Sequence, residues 1–98
     1  MKYVFLDFTG SMNKNDVQDV IVNSSIGTPK GYGRNLDAFY DVLTSLKEDV
    51  IIDVLGVSSA DEEIQPYLKK LEQMVADAAT ATAGLNSGRV IPVEPVDD

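Results

Sequence analysis

Apolar residues occur along this chain in two kinds of pattern, short runs and helical repeats. Short apolar runs occupy residues 3–8 and 50–55, and a third run, at residues 89–94, contains Pro92. Runs of this length without clean alternation are typical of strands that are buried on both faces, as in parallel sheets. Since proline has no N–H to donate to a neighbouring strand, we expect the third strand at the edge of a sheet.

The clearest helical repeat lies between residues 35 and 47, and it separates two faces. At about 100° per residue, one side of this helix carries apolar residues: Leu36, Phe39, Leu43 and Leu46. The opposite side is polar and mostly acidic: Asp37, Asp41, Thr44 and Glu48. Tyr40 falls at the border between the two sides. Asn35 is a suitable N-cap, and Asp37 suits the first turn of the helix.

Two further helices are predicted, one before and one after this segment. The first is short, is capped by Asn15 or Asp16, and has an apolar side formed by Val17, Val20 and Ile21. An acidic helical turn at residues 59–65 precedes the second helix, which runs from residue 66 to residue 82 and is followed by Gly84. Its apolar face is formed by Leu68, Leu71, Met74, Val75, Ala78 and Ala79.

The predicted order of elements is strand, helix, helix, strand, helix, strand. Strands that alternate with helices favour right-handed crossovers and a parallel sheet. The predicted fold class is therefore α/β, with a three-stranded parallel sheet and helices packed on it. With 98 residues, the chain is long enough for one modest core. We expect residues 1–98 to form a single small domain, with residues 95–98 as a frayed tail.

Composition excludes several kinds of chemistry. The chain has no cysteine and no histidine, and therefore has no thiol chemistry and lacks the commonest general base. We predict no enzyme, no cofactor and no metal site. Its 8 basic and 16 acidic residues give a net charge of −8, which repels nucleic acid and attracts basic partners. No apolar run approaches the roughly 20 residues that span a bilayer, so we expect a cytoplasmic protein, monomeric when free, with no membrane partner.

Residues 31–44, GYGRNLDAFYDVLT, resemble the barstar family of ribonuclease inhibitors. In that family a tyrosine–glycine loop leads into an Asn-Leu-Asp-Ala helix, and a second aspartate follows one turn later. The matching residues are Tyr32, Gly33, Arg34, Asn35, Leu36, Asp37, Ala38, Asp41 and Leu43. Pro29 also stands where the family places a proline ahead of the tyrosines. The order of the predicted elements is similar along nearly the whole chain.

The resemblance implies an inhibitor that blocks the active site of a basic, barnase-type bacterial ribonuclease. Such a cleft holds phosphate with basic side chains, and carboxylates on a rigid helix can take the place of phosphate there. By resemblance, Asp41 is the main phosphate mimic and Asp37 lies beside it. The other partner-binding residues that the resemblance implies are Tyr32, Gly33, Asn35, Tyr40, Thr44 and Glu48. It also implies an acid from the last helix, either Glu72 or Asp77.

Three positions depart from the family pattern. Gly31 stands where the first of two tyrosines is usual, and Tyr40 stands where many members have tryptophan. Leu46 replaces an aromatic residue of the best-known member. All three lie on or beside the face that contacts the ribonuclease in this interpretation, so they bear on which ribonuclease is bound and how tightly.

Two other functions stay open from the residues alone. An immunity or regulatory protein with the same fold would bind a different toxin, and the missing tyrosine at Gly31 is compatible with such a change of partner. Asp7, Thr9 and Ser11 also resemble the Asp-x-Ser/Thr-x-Ser motif of metal-dependent adhesion domains, whose oxygen ligands suit magnesium. Those domains are much longer than this chain, and a structural turn is therefore the preferred interpretation.

Overall fold

A three-stranded parallel sheet organises the molecule. The computed structural model describes residues 1–93, and its strands are β1 (Lys2–Asp7), β2 (Val50–Leu55) and β3 (Val90–Pro92). The α-helices of this part of the chain are α1 (Lys14–Asn23), α2 (Leu36–Leu43) and α3 (Gln65–Thr82). Two short 3-10 turns precede α3, at Val57–Ser59 and Glu62–Ile64. The predicted α/β class is confirmed.

The strands lie side by side in chain order, with β2 in the centre. Residues of β1 pair in parallel with β2 from Lys2 opposite Val50 to Asp7 opposite Leu55. Strand β3 pairs with β2 alone, so the predicted edge position of Pro92 is confirmed. The observed β3 is shorter than the predicted run at residues 89–94. Glu94 and the predicted tail at residues 95–98 lie outside the described residues.

Only one face of the sheet is buried, and the prediction that β1 is buried on both faces was wrong. Val4 and Leu6 are fully buried, whereas Tyr3 and Phe5 keep 44% and 59% of their surface exposed. The physical reason is topological. When strands lie in chain order, right-handed crossovers bring every connecting helix to the same side of the sheet, and the opposite face stays open.

The core lies between the inward face of the sheet and the three helices. Phe39 and Leu43 of α2 are fully buried, and so are Leu68 and Leu71 of α3. The apolar side predicted for α3 is thus correct, and the observed helix begins one residue before the predicted start. A buried threonine, Thr82, extends this side beyond the predicted residues, because its hydroxyl accepts a hydrogen bond from the N–H of Val90.

Helix α1 begins earlier than predicted. Asn13, and not Asn15 or Asp16, is its N-cap, because the Asn13 side chain accepts a hydrogen bond from the N–H of Asp16 at 2.9 Å. The Asp16 carboxylate in turn accepts from the N–H of Met12, so two backbone donors at the helix start are satisfied.

Within residues 1–93, no helix is long and apolar enough to cross a membrane.

Candidate partner-binding surface

The loop ahead of α2 starts with a tight turn that depends on glycine. The N–H of Tyr32 donates to the carbonyl of Pro29 at 3.1 Å, and Gly31, inside this turn, has φ of 81°. A positive φ suits glycine and strains a residue with a Cβ atom. The glycine that replaces the family's usual tyrosine is therefore matched to the backbone of this turn.

The hydroxyl of Tyr32 points into the protein. It donates to Gln18 Oε1 at 2.6 Å, and Gln18 Nε2 donates to the hydroxyl of Tyr67 at 2.9 Å. Burial, with a smaller contribution from Tyr67, raises the pKa of Tyr32 to about 12. This network ties the loop to α1 and α3. The sequence-based prediction did not include Gln18, although its position next to the apolar side of α1 was a signal of a buried polar contact.

Helix α2 starts where the capping pattern predicts. Asn35 is the N-cap, and its side-chain oxygen accepts a hydrogen bond from the N–H of Ala38 at 2.7 Å.

Asp37 and Asp41 are both exposed on the outer side of the helix. The ion pairs within residues 1–93 are Lys2–Glu48, Arg34–Asp19 and Arg89–Asp49. Neither Asp37 nor Asp41 has a cationic partner in this part of the chain.

Helix α2 ends at Leu43, four residues before the predicted end. The N–H and the hydroxyl of Thr44 both donate to the carbonyl of Tyr40 at 3.0 Å, and the N–H of Ser45 then donates to the carbonyl of Val42, so the last turn tightens. A bond that spans three residues in place of four is typical of the end of a helix. The prediction that Glu48 lies on the acidic face of this helix was therefore wrong, as was the placement of Leu46 on its apolar face.

Glu48 nevertheless lies on the same concave surface as Asp41. An open depression of about 850 Å³ lies between the loop before α2, the helix and the segment that leads into β2. Four of the residues implied as partner-binding line it: Tyr32, Gly33, Asp41 and Glu48. The other four, Asn35, Asp37, Tyr40 and Thr44, lie on α2 or at its ends but outside the depression.

Two lysines also line this depression, and the sequence did not indicate them. Lys2 Nζ lies 3.9 Å from Glu48 Oε1, a long contact between two well-exposed side chains. Lys47 precedes Glu48 on the same wall. The depression therefore has mixed charge, because Lys2 and Lys47 line it together with Asp41 and Glu48, whereas Asp37 lies outside it.

Comparison with known proteins gives the family. The model of the family described as Barstar (barnase inhibitor) matches residues 1–92. The chain belongs to the barstar family. No significant match was found among curated proteins or among solved structures. The family match covers every element of the described fold, so the resemblance first seen in residues 31–44 extends over the whole sheet and all three helices.

The acid from the last helix stays a prediction in this barstar-family protein. Glu72 and Asp77 both lie on α3 and are exposed. Asp77 accepts a hydrogen bond from Gln73 Nε2 at 2.9 Å, one turn earlier on the same helix. Both carboxylates are thus accessible to a partner, and Asp77 already has a hydrogen-bond donor within the helix.

The segment that resembles a metal-binding motif forms a hydrogen-bonded turn at the end of β1. The Asp7 carboxylate accepts from the backbone N–H and the hydroxyl of Thr9, at 3.0 and 2.7 Å. These two bonds hold the pKa of Asp7 below its usual value. Ser11 is buried, and its carbonyl accepts from the N–H of Asp61. These contacts give Asp7 and Thr9 a structural role in the turn.

Proposed function

We propose that this protein inhibits a basic, barnase-type ribonuclease by placing the acidic side of α2 in the active-site cleft. The observation that carries the proposal is the pair Asp37 and Asp41. Both are exposed, and neither has a cationic partner within residues 1–93. The family description, an inhibitor of barnase, supports the same assignment.

The arrangement of the two carboxylates is unfavourable for the isolated helix and favourable for a basic partner. Residues spaced i and i+4 are neighbours on a helix surface, and two like charges there repel each other. Helix α2 has no basic residue in its last turn to offset this repulsion. A cleft that holds phosphate with several cations would relieve the repulsion and form charge-assisted hydrogen bonds to both carboxylates.

The packing of α2 supports binding without rearrangement. Phe39 and Leu43 lie on the inner side of the helix and are fully buried, so the helix is anchored in the core along its length. Asn35 satisfies the first turn through its bond to Ala38. Carboxylates on such a helix lose little further entropy when a partner binds. In this proposal the protein acts by surface complementarity and not as an enzyme.

The test is inhibition of RNA cleavage by barnase, used as the probe ribonuclease. We expect the wild-type chain to abolish cleavage at a one-to-one ratio. Asp41→Ala should weaken binding far more than Glu63→Ala, because Glu63 is an exposed acid in the turn before α3 and has no place in the proposed interface. Equal, small effects of the two changes would contradict the assignment of the interface.

Salt provides a second measurement on the same complex. Attraction between exposed charges is screened over about 8 Å at physiological ionic strength, so the association rate should fall as salt is added. An affinity that does not change between low and high salt would contradict binding through the acidic side of α2.

Gly31 favours one variation of this proposal, a related toxin in place of barnase itself. The turn at Gly31 has no side chain where the family usually presents tyrosine, and the adjacent depression is open. A partner with a different surface opposite this turn would fit such a loop. Capture of the native partner from the source cell distinguishes the two: a barnase-type ribonuclease supports the main proposal, and another toxin supports the variation.

A further inference from the structure

Arg34 has an unusual backbone conformation for its residue type. Its φ is 53°, and it is the one non-glycine residue with positive φ within residues 1–93. Residues with a Cβ atom adopt this conformation at a cost in free energy, which surrounding contacts must offset. Arg34 stands between Gly33 and Asn35, two residues of the proposed interface, so its conformation determines how both are presented.

The side chain of Arg34 makes its contacts with α1. Arg34 Nη2 lies 2.6 Å from Asp19 Oδ1 and 2.7 Å from Asn15 Oδ1. The carbonyl of Asn15 is 3.2 Å from the same nitrogen. A single guanidinium group thus joins the loop to two residues that lie one turn apart on a neighbouring helix.

The loop has little else to hold it at this point. The backbone groups of Gly33 and Arg34 make no hydrogen bond to other backbone groups of the described chain, and the Gly33 carbonyl accepts a bond from Nδ2 of the nearby Asn35 at 3.3 Å. On the N-terminal side, the loop is held by the hydroxyl of Tyr32, and on the C-terminal side by the Asn35 cap. Between these two points the Arg34 side chain supplies the connection.

We propose that Arg34 is a positioning residue, which clamps the Gly33–Asn35 segment to α1 through Asp19 and Asn15 before a partner binds. This inference rests on the proposed function in its effect on binding, although the clamp itself is a property of the free protein. An ordered loop raises affinity because the binding-competent conformation is already populated.

Long-range electrostatics alone predicts the opposite effect of Arg34. A cation in the interface repels a basic ribonuclease, so its removal would strengthen binding if charge were the only factor. The pair is also well exposed, with 36% of the Arg34 side chain and 52% of the Asp19 side chain accessible. Exposed pairs of this kind contribute little to global stability, and the effect of the clamp is therefore local.

The experiment breaks the clamp from both sides and compares each change with a control of equal charge change. Arg34→Gln is matched by Lys69→Gln, and Asp19→Asn by Glu63→Gln; both controls are at exposed positions outside the clamp and the proposed interface. Two quantities are measured: backbone amide order parameters of Gly33, Arg34 and Asn35 in the free protein, and association and dissociation rates with barnase. Urea unfolding of each variant checks that it is folded.

We expect both clamp variants to lower the amide order parameters from about 0.85 to below about 0.6 in this segment. If the ordered loop is then populated for about one-fifth of the time, affinity falls about fivefold, through slower association, because only the ordered fraction of the free protein can bind. The effect of the double variant should be smaller than the sum of the two single effects, because both changes remove the contact between Arg34 and Asp19. The controls should leave the order parameters of the loop unchanged.

Unchanged order parameters together with tighter binding by Arg34→Gln would overturn the proposal, since charge alone would then explain the residue. The two measurements also separate this inference from the proposed function. If wild-type protein fails to bind barnase, the proposed function fails for that ribonuclease, while the order parameters still decide whether the clamp exists.

Discussion

Replacement of Asp41 by asparagine should stabilise the free protein and weaken its binding. Asp41 lies in the last turn of α2, which ends at Leu43, and it stands one turn after Asp37. A negative charge is unfavourable at the C-terminal end of a helix and next to another negative charge at i−4. Asparagine has nearly the same shape and helix propensity as aspartate, so the substitution removes the charge and little else.

The expected gain in stability is the sum of two small contributions. The interaction with the helix dipole is about 0.3–1 kcal/mol at low salt, and the repulsion from Asp37 is about 0.2–0.5 kcal/mol. Because both groups are exposed and screened, we expect about 0.5 kcal/mol at physiological salt, which raises Tm by roughly 2–4 °C in a domain of this size.

The expected loss of affinity is larger and has the opposite sign. A carboxylate that accepts hydrogen bonds from several cations in the centre of an interface typically contributes about 2 kcal/mol or more, and about 2 kcal/mol corresponds to roughly 30-fold in Kd. Thermal unfolding of the free protein and titration calorimetry with barnase measure the two quantities. Glu63→Gln, which removes an equal charge from an exposed turn, is the control for the change in net charge.

Two outcomes would refute this reasoning. If Asp41→Asn lowered Tm, Asp41 would be making a contact that stabilises the fold, and its loss of binding would carry no information about the interface. If binding stayed within about twofold of wild type, the phosphate-mimic role would be wrong. A gain in Tm together with a loss of affinity identifies a residue that is kept for binding at the expense of stability.

Two further predictions concern the fold. Hydrogen bonds from the Arg89 side chain and N–H hold the pKa of Asp49 at about 2, below its usual 3.8. Because the pKa is lower in the folded state, the stabilisation by ionised Asp49 is complete above pH 3.8 and is lost as the pH falls towards 2. Asp49→Asn should therefore flatten the acid side of the stability curve measured by urea unfolding, and an unchanged slope would contradict this prediction. Gly88→Ala should destabilise the protein by about 2–3 kcal/mol in the same assay, because φ is 82° and an added Cβ would overlap the carbonyl of Leu46. Gly84→Ala should change stability little, because apart from its chain neighbours no atom of residues 1–93 lies within 4 Å of the added Cβ, and a loss at both positions would refute the steric reason.

Elements specified by neighbouring residues were predictable from the sequence. Strand β2 has the predicted bounds, Val50–Leu55, and α3 begins one residue before its predicted start. Asn35 caps α2 as its position ahead of the acidic turn indicated. These features depend on hydrogen bonds and side-chain contacts within a few residues, and the sequence displays such relationships directly.

The end of α2 was less predictable because local and distant contacts act together. The helical period continues through Leu46, yet the helix ends at Leu43, where the N–H of Ser45 donates to the carbonyl of Val42, three residues back. The segment that follows then packs against the loop before β3, where Ser87 Oγ donates to the carbonyl of Lys47. Glu48 reaches the edge of the depression by this route and not as part of the helix.

The sequence by itself determined the α/β class, the capped helix α2 and the exposed acidic pair that marks the proposed interface. Only the tertiary structure decided that the strands lie in chain order and leave one face of the sheet open, that Glu48 joins Asp41 around a depression, and that Arg34 connects the loop to α1. The difference has one physical cause. Periodicity and capping act between residues at most four apart, whereas these last features depend on contacts between residues that are distant in the chain and meet only in the folded protein.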